Sequence, residues 1–154
     1  MLFRSVTFDT AAPRAVLLSP DEKKLYVAEN GSGSASSPDS PVRELRAYAL
    51  RADGSAGDYI VMHTFGRDHR GPHRGVEGMC LDADGNIVAV AGSNQSGPGP
   101  LVYVFAPSGR VLETHALPCD APVRCAFGGA GLDSLYVSGG DGCLYRAKSV
   151  DCSE

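Results

Sequence analysis

The sequence predicts an all-β chain that uses one antiparallel unit three times. Three observations predict it. The apolar runs are short and bounded by turn residues, no segment keeps a helical period, and three paired runs share one internal spacing. Nineteen glycines and ten prolines suit short strands joined by tight turns.

Taken in order, residues 15–18 (AVLL) are followed by the turn 19–22 (SPDE) and the run 25–28 (LYVA). Residues 78–81 (GMCL) are followed by 82–85 (DADG) and 87–90 (IVAV), and residues 125–127 (CAF) by 128–131 (GGAG) and 135–137 (LYV). Each reads as strand, tight turn, strand. Counted from the residue before the first strand, Arg14 to Asp21, Glu77 to Asp84 and Arg124 to Gly131 are equal steps. The three starts lie 63 and then 47 residues apart. The longer first unit is explained by the tract 30–38 (NGSGSASSP), read as a flexible surface loop.

Further strands follow each pair. The first unit continues with residues 45–50 and 59–63, turned through Asp53-Gly54, and the second with 101–105 and 111–115, turned through Pro107-Ser108-Gly109. The third has only residues 142–147. Repeats of this length with four strands each mark the blades of a β-propeller. The expected architecture is therefore a partial propeller of three four-stranded antiparallel blades, at about residues 10–65, 73–117 and 120–150. Residues 2–8 are a spare strand for a neighbouring blade. Three blades do not close a ring, so half of a six-bladed ring is expected. It would be completed by a second copy, each lending residues 2–8 to the other's third blade, or by a missing N-terminal half.

Composition excludes several classes. The 154 residues are 43% hydrophobic, enough for a real core. Fourteen Lys and Arg against 18 Asp and Glu argue against a nucleic-acid protein, whose affinity rests on clustered positive charge. No apolar run approaches the roughly 20 residues that cross a bilayer. The N-terminus lacks a basic region followed by a long apolar stretch, so no secretory signal and a cytoplasmic location are expected. The five cysteines (Cys80, Cys119, Cys125, Cys143, Cys152) include no CxxC pair. Cys80 and Cys125 lie in apolar runs and read as reduced, buried thiols, which favours a reducing compartment; a reactive thiol or a disulfide is the alternative.

The stretches 18–21 leading to 25–28, 77–86 (EGMCLDADGN), and 124–129 (RCAFGG) leading to 135–138 carry a resemblance. In that order they resemble the C-terminal half of the senescence marker protein, gluconolactonase and luciferin-regenerating enzyme family of six-bladed propellers. The resemblance covers about residues 13–146. It implies hydrolysis of a small lactone or ester with one divalent cation at the channel mouth. Calcium fits such oxygen ligation first, with magnesium or zinc as alternatives. The family's ligands are a Glu in the first half, Asn residues, and an Asp in an Asp-Gly-Met motif. That Asp falls on Glu77, the expected metal-linked catalytic carboxylate. The Asn of a Pro-Asn-Gly motif falls on Arg14, and a polar position before the Cys-Ala-Phe run falls on Arg124.

The equal spacing directs Arg14, Glu77 and Arg124 into the channel together. Guanidinium groups carry no acceptor lone pair and repel a dication, so Glu77 is expected to be ion-paired with Arg14, Arg124 or both. In the stretch 67–75 (RDHRGPHRG), Gly71 and Pro72 rule out a helix that would set His69 and His73 on one metal. The stretch is either an anion-binding loop using Arg70, His73 and Arg74 or a solvated loop beside Glu77. His63 and His115 end outer strands and read as surface residues. No nucleophile elbow, phosphate loop or dinucleotide fingerprint is present. Two functions remain: a metal-dependent lactonase, or a non-catalytic propeller that binds a small anion or a protein at its mouth.

Overall fold

The computed structural model describes residues 1–31 and 43–148. Most of the expected loop tract falls in residues 32–42, and Cys152 in residues 149–154; these lie outside the described residues. Every regular element among the described residues is a strand. The first sheet orders β1 (Pro13–Leu18), β2 (Lys24–Glu29), β3 (Arg43–Leu50) and β4 (Ala56–Phe65) as they occur in the chain, all antiparallel. A two-residue hairpin of β5 (Arg67–Asp68) and β6 (Gly71–Pro72) leads on. The second sheet is β7 (Val76–Leu81), β8 (Ile87–Ser93), β9 (Ser96–Phe105) and β10 (Val111–Ala116). The third holds β11 (Pro122–Gly128), β12 (Ser134–Gly139) and β13 (Leu144–Lys148), one strand short among the described residues, as expected.

The turns close as their residues require. The Asp82 carboxylate accepts the backbone N–H groups of Asp84 (2.9 Å) and Asn86 (2.8 Å), and Gly85 takes φ +79°, a conformation that a side chain would strain. In the first sheet Ser19 Oγ donates to Asp21 and accepts from the Lys24 N–H.

Strand β8 shows how the sheets are held together. Its Ile87, Ala89 and Ala91 join Tyr26, Ala28, Leu45, Phe65 and Phe105 in a core between the first and second sheets. The alternate residues Val88 and Val90 turn the other way and meet Val102 and Val137 between the second and third. A period of two thus serves two cores, which is why β8 is buried throughout while the outer strand β10 is exposed throughout. The first strands lie side by side, β1 against β7 and β7 against β11. The three sheets fan from that common edge as blades of a propeller.

The outward faces of the end blades carry apolar side chains in water, among them Val16 and Leu18 on β1, Tyr136 on β12 and Leu144 on β13. Residues 2–8 form no strand in the single chain. The segment lies instead against the first sheet: the Ala56 N–H donates to the Val6 carbonyl, Arg46 to the Asp9 carbonyl, and the buried Tyr48 hydroxyl to the Asp9 carboxylate at 2.9 Å. Strand lending to a neighbour concerns a second chain. No helix among the described residues is long and apolar enough to cross a membrane.

Candidate functional site

Each first strand breaks register once near its start. The pairing of β1 with β2 shifts between Pro13 and Ala15, that of β7 with β8 between Val76 and Gly78, and that of β11 with β12 between Pro122 and Arg124. A bulge leaves its extra residue unpaired and re-aims the side chain. The bulged residues are Arg14, Glu77 and Val123. The expected equivalence of Arg14, Glu77 and Arg124 is therefore correct for the first two copies and one residue late in the third. Arg124 stands in register with Ala15 and Gly78.

Arg14 and Glu77 line one hollow of about 290 Å³ at the start of the first strands. Asn30 and Gly31 reach it from the end of β2, Arg43 from the start of β3, Pro72 and Arg74 from the approach to β7, and Ser93, Gln95 and Ser96 from the β8–β9 turn. Three guanidinium groups thus face one carboxylate. The expected ion pair of Glu77 with Arg14 or Arg124 gives way to one with Arg74, whose Nε lies 3.6 Å from Glu77 Oε1. Arg74 also donates to the Pro122 carbonyl at 2.9 Å, which ties the second blade to the third. Asn30 is buried; its Nδ2 donates to the Val76 carbonyl (3.2 Å) and to Glu77 Oε1 (3.3 Å), while its Oδ1 has no hydrogen-bond partner among the described residues. Burial holds the Arg43 guanidinium below its usual pKa, with the charges of Arg14 and Arg67 adding to the effect.

The other expected residues sit outside this hollow. Arg124 donates to the backbone carbonyls of Glu77 and Val123, not to a carboxylate. Arg70 is folded back on Asp68 at 2.9 Å and on the Gly97 carbonyl at 2.6 Å, so it braces the small hairpin. His73 is buried at 4% exposure, stacks on Phe65 with centroids 4.7 Å apart, and accepts the Gly75 N–H at Nδ1. Of the anion loop expected from Arg70, His73 and Arg74, only Arg74 lines the hollow. His63, expected at the surface, is partly buried among Phe65, Tyr103 and Phe105, because alternation along β4 puts it on the same face as the buried Phe65.

Burial first, and the nearby His63 second, push the His73 pKa down to about 4 against Asp68, which acts the other way. A histidine that titrates lower in the folded chain than in the unfolded one is stabilising when neutral. Its contribution is complete above about pH 6.5 and is lost as the pH falls toward 4. Urea denaturation at pH 7 and pH 5 should differ by on the order of 2 kcal/mol. His73→Phe should flatten most of that slope; a slope unchanged in the variant would refute the assignment.

A calcium ion takes six to eight oxygen ligands, preferably several carboxylates. The described residues gather no group of three or more His, Cys, Asp or Glu side chains. The hollow offers the Glu77 carboxylate, already beside Arg74, and the unpartnered Asn30 Oδ1, against three arginines. Taken alone, these residues do not fit a dication. Sequence reasoning missed Asn30, Arg43, Ser93, Gln95 and Ser96. The available signal was position: Asn30 directly follows the second strand β2 and Ser93 ends the second strand β8.

Residues 3–140 match the family model described as SMP-30/Gluconolactonase/LRE-like region. A gluconolactonase of Zymomonas mobilis is 30% identical over 129 residues, which cover 82% of this chain and 32% of that protein. Regucalcin of Xenopus laevis is 29% identical over 62 residues, 40% of this chain and 19% of that protein. Among solved structures, luciferin-regenerating enzyme superposes with a TM-score of 0.66 at 22% identity, covering 93% of this chain and 47% of that one. The WD40 repeats of RRP9 superpose at 0.53 and 14% identity, over 96% of this chain and 42% of that one. The structural matches show a propeller fold. The chain spans about a third of the gluconolactonase and just under half of the luciferin-regenerating enzyme.

Proposed function

The chain belongs to the SMP-30/gluconolactonase/LRE-like family, and from that premise we propose that it is half of a lactonase-type propeller whose mouth binds a small organic anion. The observation that carries the reading is the set of Arg14, Arg43 and Arg74 around one hollow with Glu77. Guanidinium forks match carboxylates in shape as well as charge. An aldonate such as gluconate, the acid to which gluconolactone opens, is the ligand class that the lineage suggests. Asn30, Ser93, Gln95 and Ser96 bring amides and hydroxyls suited to its hydroxyl groups.

Hydrolysis of a lactone through a divalent cation on Glu77 is the second reading. It is favoured by the carboxylate and the unpartnered Asn30 oxygen in one hollow. It needs further oxygen ligands from elsewhere in a complete ring. The open faces bearing Val16, Leu18, Tyr136 and Leu144 are where three more blades, from a second copy or an N-terminal half, would seat.

Calorimetric titration of the purified chain with gluconate, calcium, magnesium and zinc separates the two. Saturable uptake of gluconate that weakens with added salt, and no uptake of cation, is expected. One cation bound per chain, with no gluconate, would overturn the anion reading.

A further inference from the structure

We propose that Cys80 and Cys125 are a peroxide-responsive thiol pair that closes to a disulfide across the second and third blades. Cys80 lies on β7 and Cys125 on β11, the neighbouring first strands, and their sulfurs stand 3.7 Å apart. Both are free thiols and both are only partly buried, so a small oxidant reaches them; Cys119, by contrast, is buried and Cys143 is exposed. The sequence pattern alone placed them as reduced, buried thiols in separate runs, with a reactive thiol or a disulfide as the alternative. The two runs meet because Gly78 brings the backbones of β7 and β11 into contact at Val123 and Arg124, two residues before Cys80 and one or two before Cys125. A disulfide at about 2.05 Å requires the sulfurs to close by about 1.7 Å between strands that lie side by side.

The contact also assigns roles. Either sulfur can donate to the other, but Cys125 also has the Val88 carbonyl at 3.6 Å to hold its proton, so the pair favours the thiolate on Cys80, whose pKa the contact lowers while that of Cys125 rises. Cys80 is therefore the attacking thiolate and Cys125 the resolving thiol. The Cys80 sulfur attacks one oxygen of hydrogen peroxide, and the O–O bond breaks. Hydroxide leaves and takes up a proton, so that Cys80 is a sulfenic acid. The Cys125 sulfur then attacks the Cys80 sulfur and the S–O bond breaks. The departing hydroxide combines with the Cys125 proton as a second water. Two electrons pass from the thiols to the peroxide. The product joins residues 45 apart in the chain, three residues beyond Glu77 and one beyond Arg124, so the blades would be fixed next to the mouth.

The full chain is treated with stoichiometric hydrogen peroxide, alkylated and mapped by mass spectrometry without reduction. The expected result is a Cys80–Cys125 cross-linked peptide, an intact mass 2 Da lower, and a melting temperature a few degrees higher. All three should reverse with dithiothreitol. Cys125→Ser should halt at the Cys80 sulfenic acid, trapped by dimedone, with an unchanged melting temperature in the reduced state. Cross-links that run instead through Cys119 or Cys143, or Cys80 and Cys125 that both remain alkylatable, would overturn the proposal. It stands apart from the function of the mouth, since gluconate binding by the reduced chain does not enter the test.

Discussion

Gly78→Ala is expected to destabilise the chain by about 3 kcal/mol and to lower its melting temperature by roughly 6–10 °C. A Cβ built on Gly78 lies 2.7 Å from Arg124 Cα and 2.7 Å from the Val123 carbonyl oxygen, with the Arg124 nitrogen at 3.3 Å. All three neighbours are backbone, so no side chain can swing aside. Strands β7 and β11 would have to part by about an ångström, thinning the core of Val88, Val90 and Val137 between their blades. The Arg124 bond to the Glu77 carbonyl would go with it. Gly66→Ala is the control, because an added methyl there meets nothing within 4 Å. Thermal denaturation of both variants checks the account; a Gly78→Ala chain that melts with the parent would show that the blades are not in backbone contact. The same variant should slow closure of the Cys80–Cys125 pair, since parting the strands separates the sulfurs.

That glycine also marks where the sequence stops being readable. The hairpins at residues 15–28 and 78–90 were legible because alternation and turn chemistry are local: Asp82 and Gly85 build their turn with no help from the rest of the chain. The order of the blades was legible because the unit repeats. The bulges were not. A bulge adds one residue to one strand, and counting forward from the start of each copy assumes that all three keep the same register. In the third copy that count landed on Arg124 instead of Val123, and a backbone-bonded arginine was read as a channel residue. The partners of Glu77 were hidden for another reason. Asn30 is 47 residues away in the chain, so no spacing rule sets it beside the carboxylate, and Arg74 lies in the loop placed beside Glu77 but was read as an anion contact, not as its ion-pair partner. The stretch around Arg70 and His73 was correctly placed next to Glu77, yet the hydrogen bonds to Asp68 and the stack on Phe65 turn those two side chains away from the hollow.

Glu77→Gln is expected to tighten gluconate binding about tenfold, whereas Arg74→Ala is expected to weaken it by at least as much. The two effects have one source. Glu77 places a negative charge 3.6 Å from the Arg74 guanidinium, so it both occupies that group and repels an incoming carboxylate. At an effective dielectric near 20, like charges about 4 Å apart cost roughly 4 kcal/mol. Water at the open mouth screens most of this, which leaves about 1.4 kcal/mol, a factor of ten. Glutamine keeps the shape of the side chain and its acceptor for the Asn30 amide, so the buried contact at 3.3 Å survives. Arg74→Ala removes a fork and leaves Glu77 facing Arg14 and Arg43 alone. Calorimetric dissociation constants for gluconate and for calcium, measured on the parent and both variants, decide the matter by sign. If a cation on Glu77 is the working ligand, Glu77→Gln abolishes calcium binding and leaves gluconate unchanged. Arg74→Ala then strengthens the cation site by freeing the carboxylate. An anion site demands the opposite pair of signs, because the same carboxylate that would hold a metal is, to a bound acid, the one repulsive charge among the described residues that line the hollow.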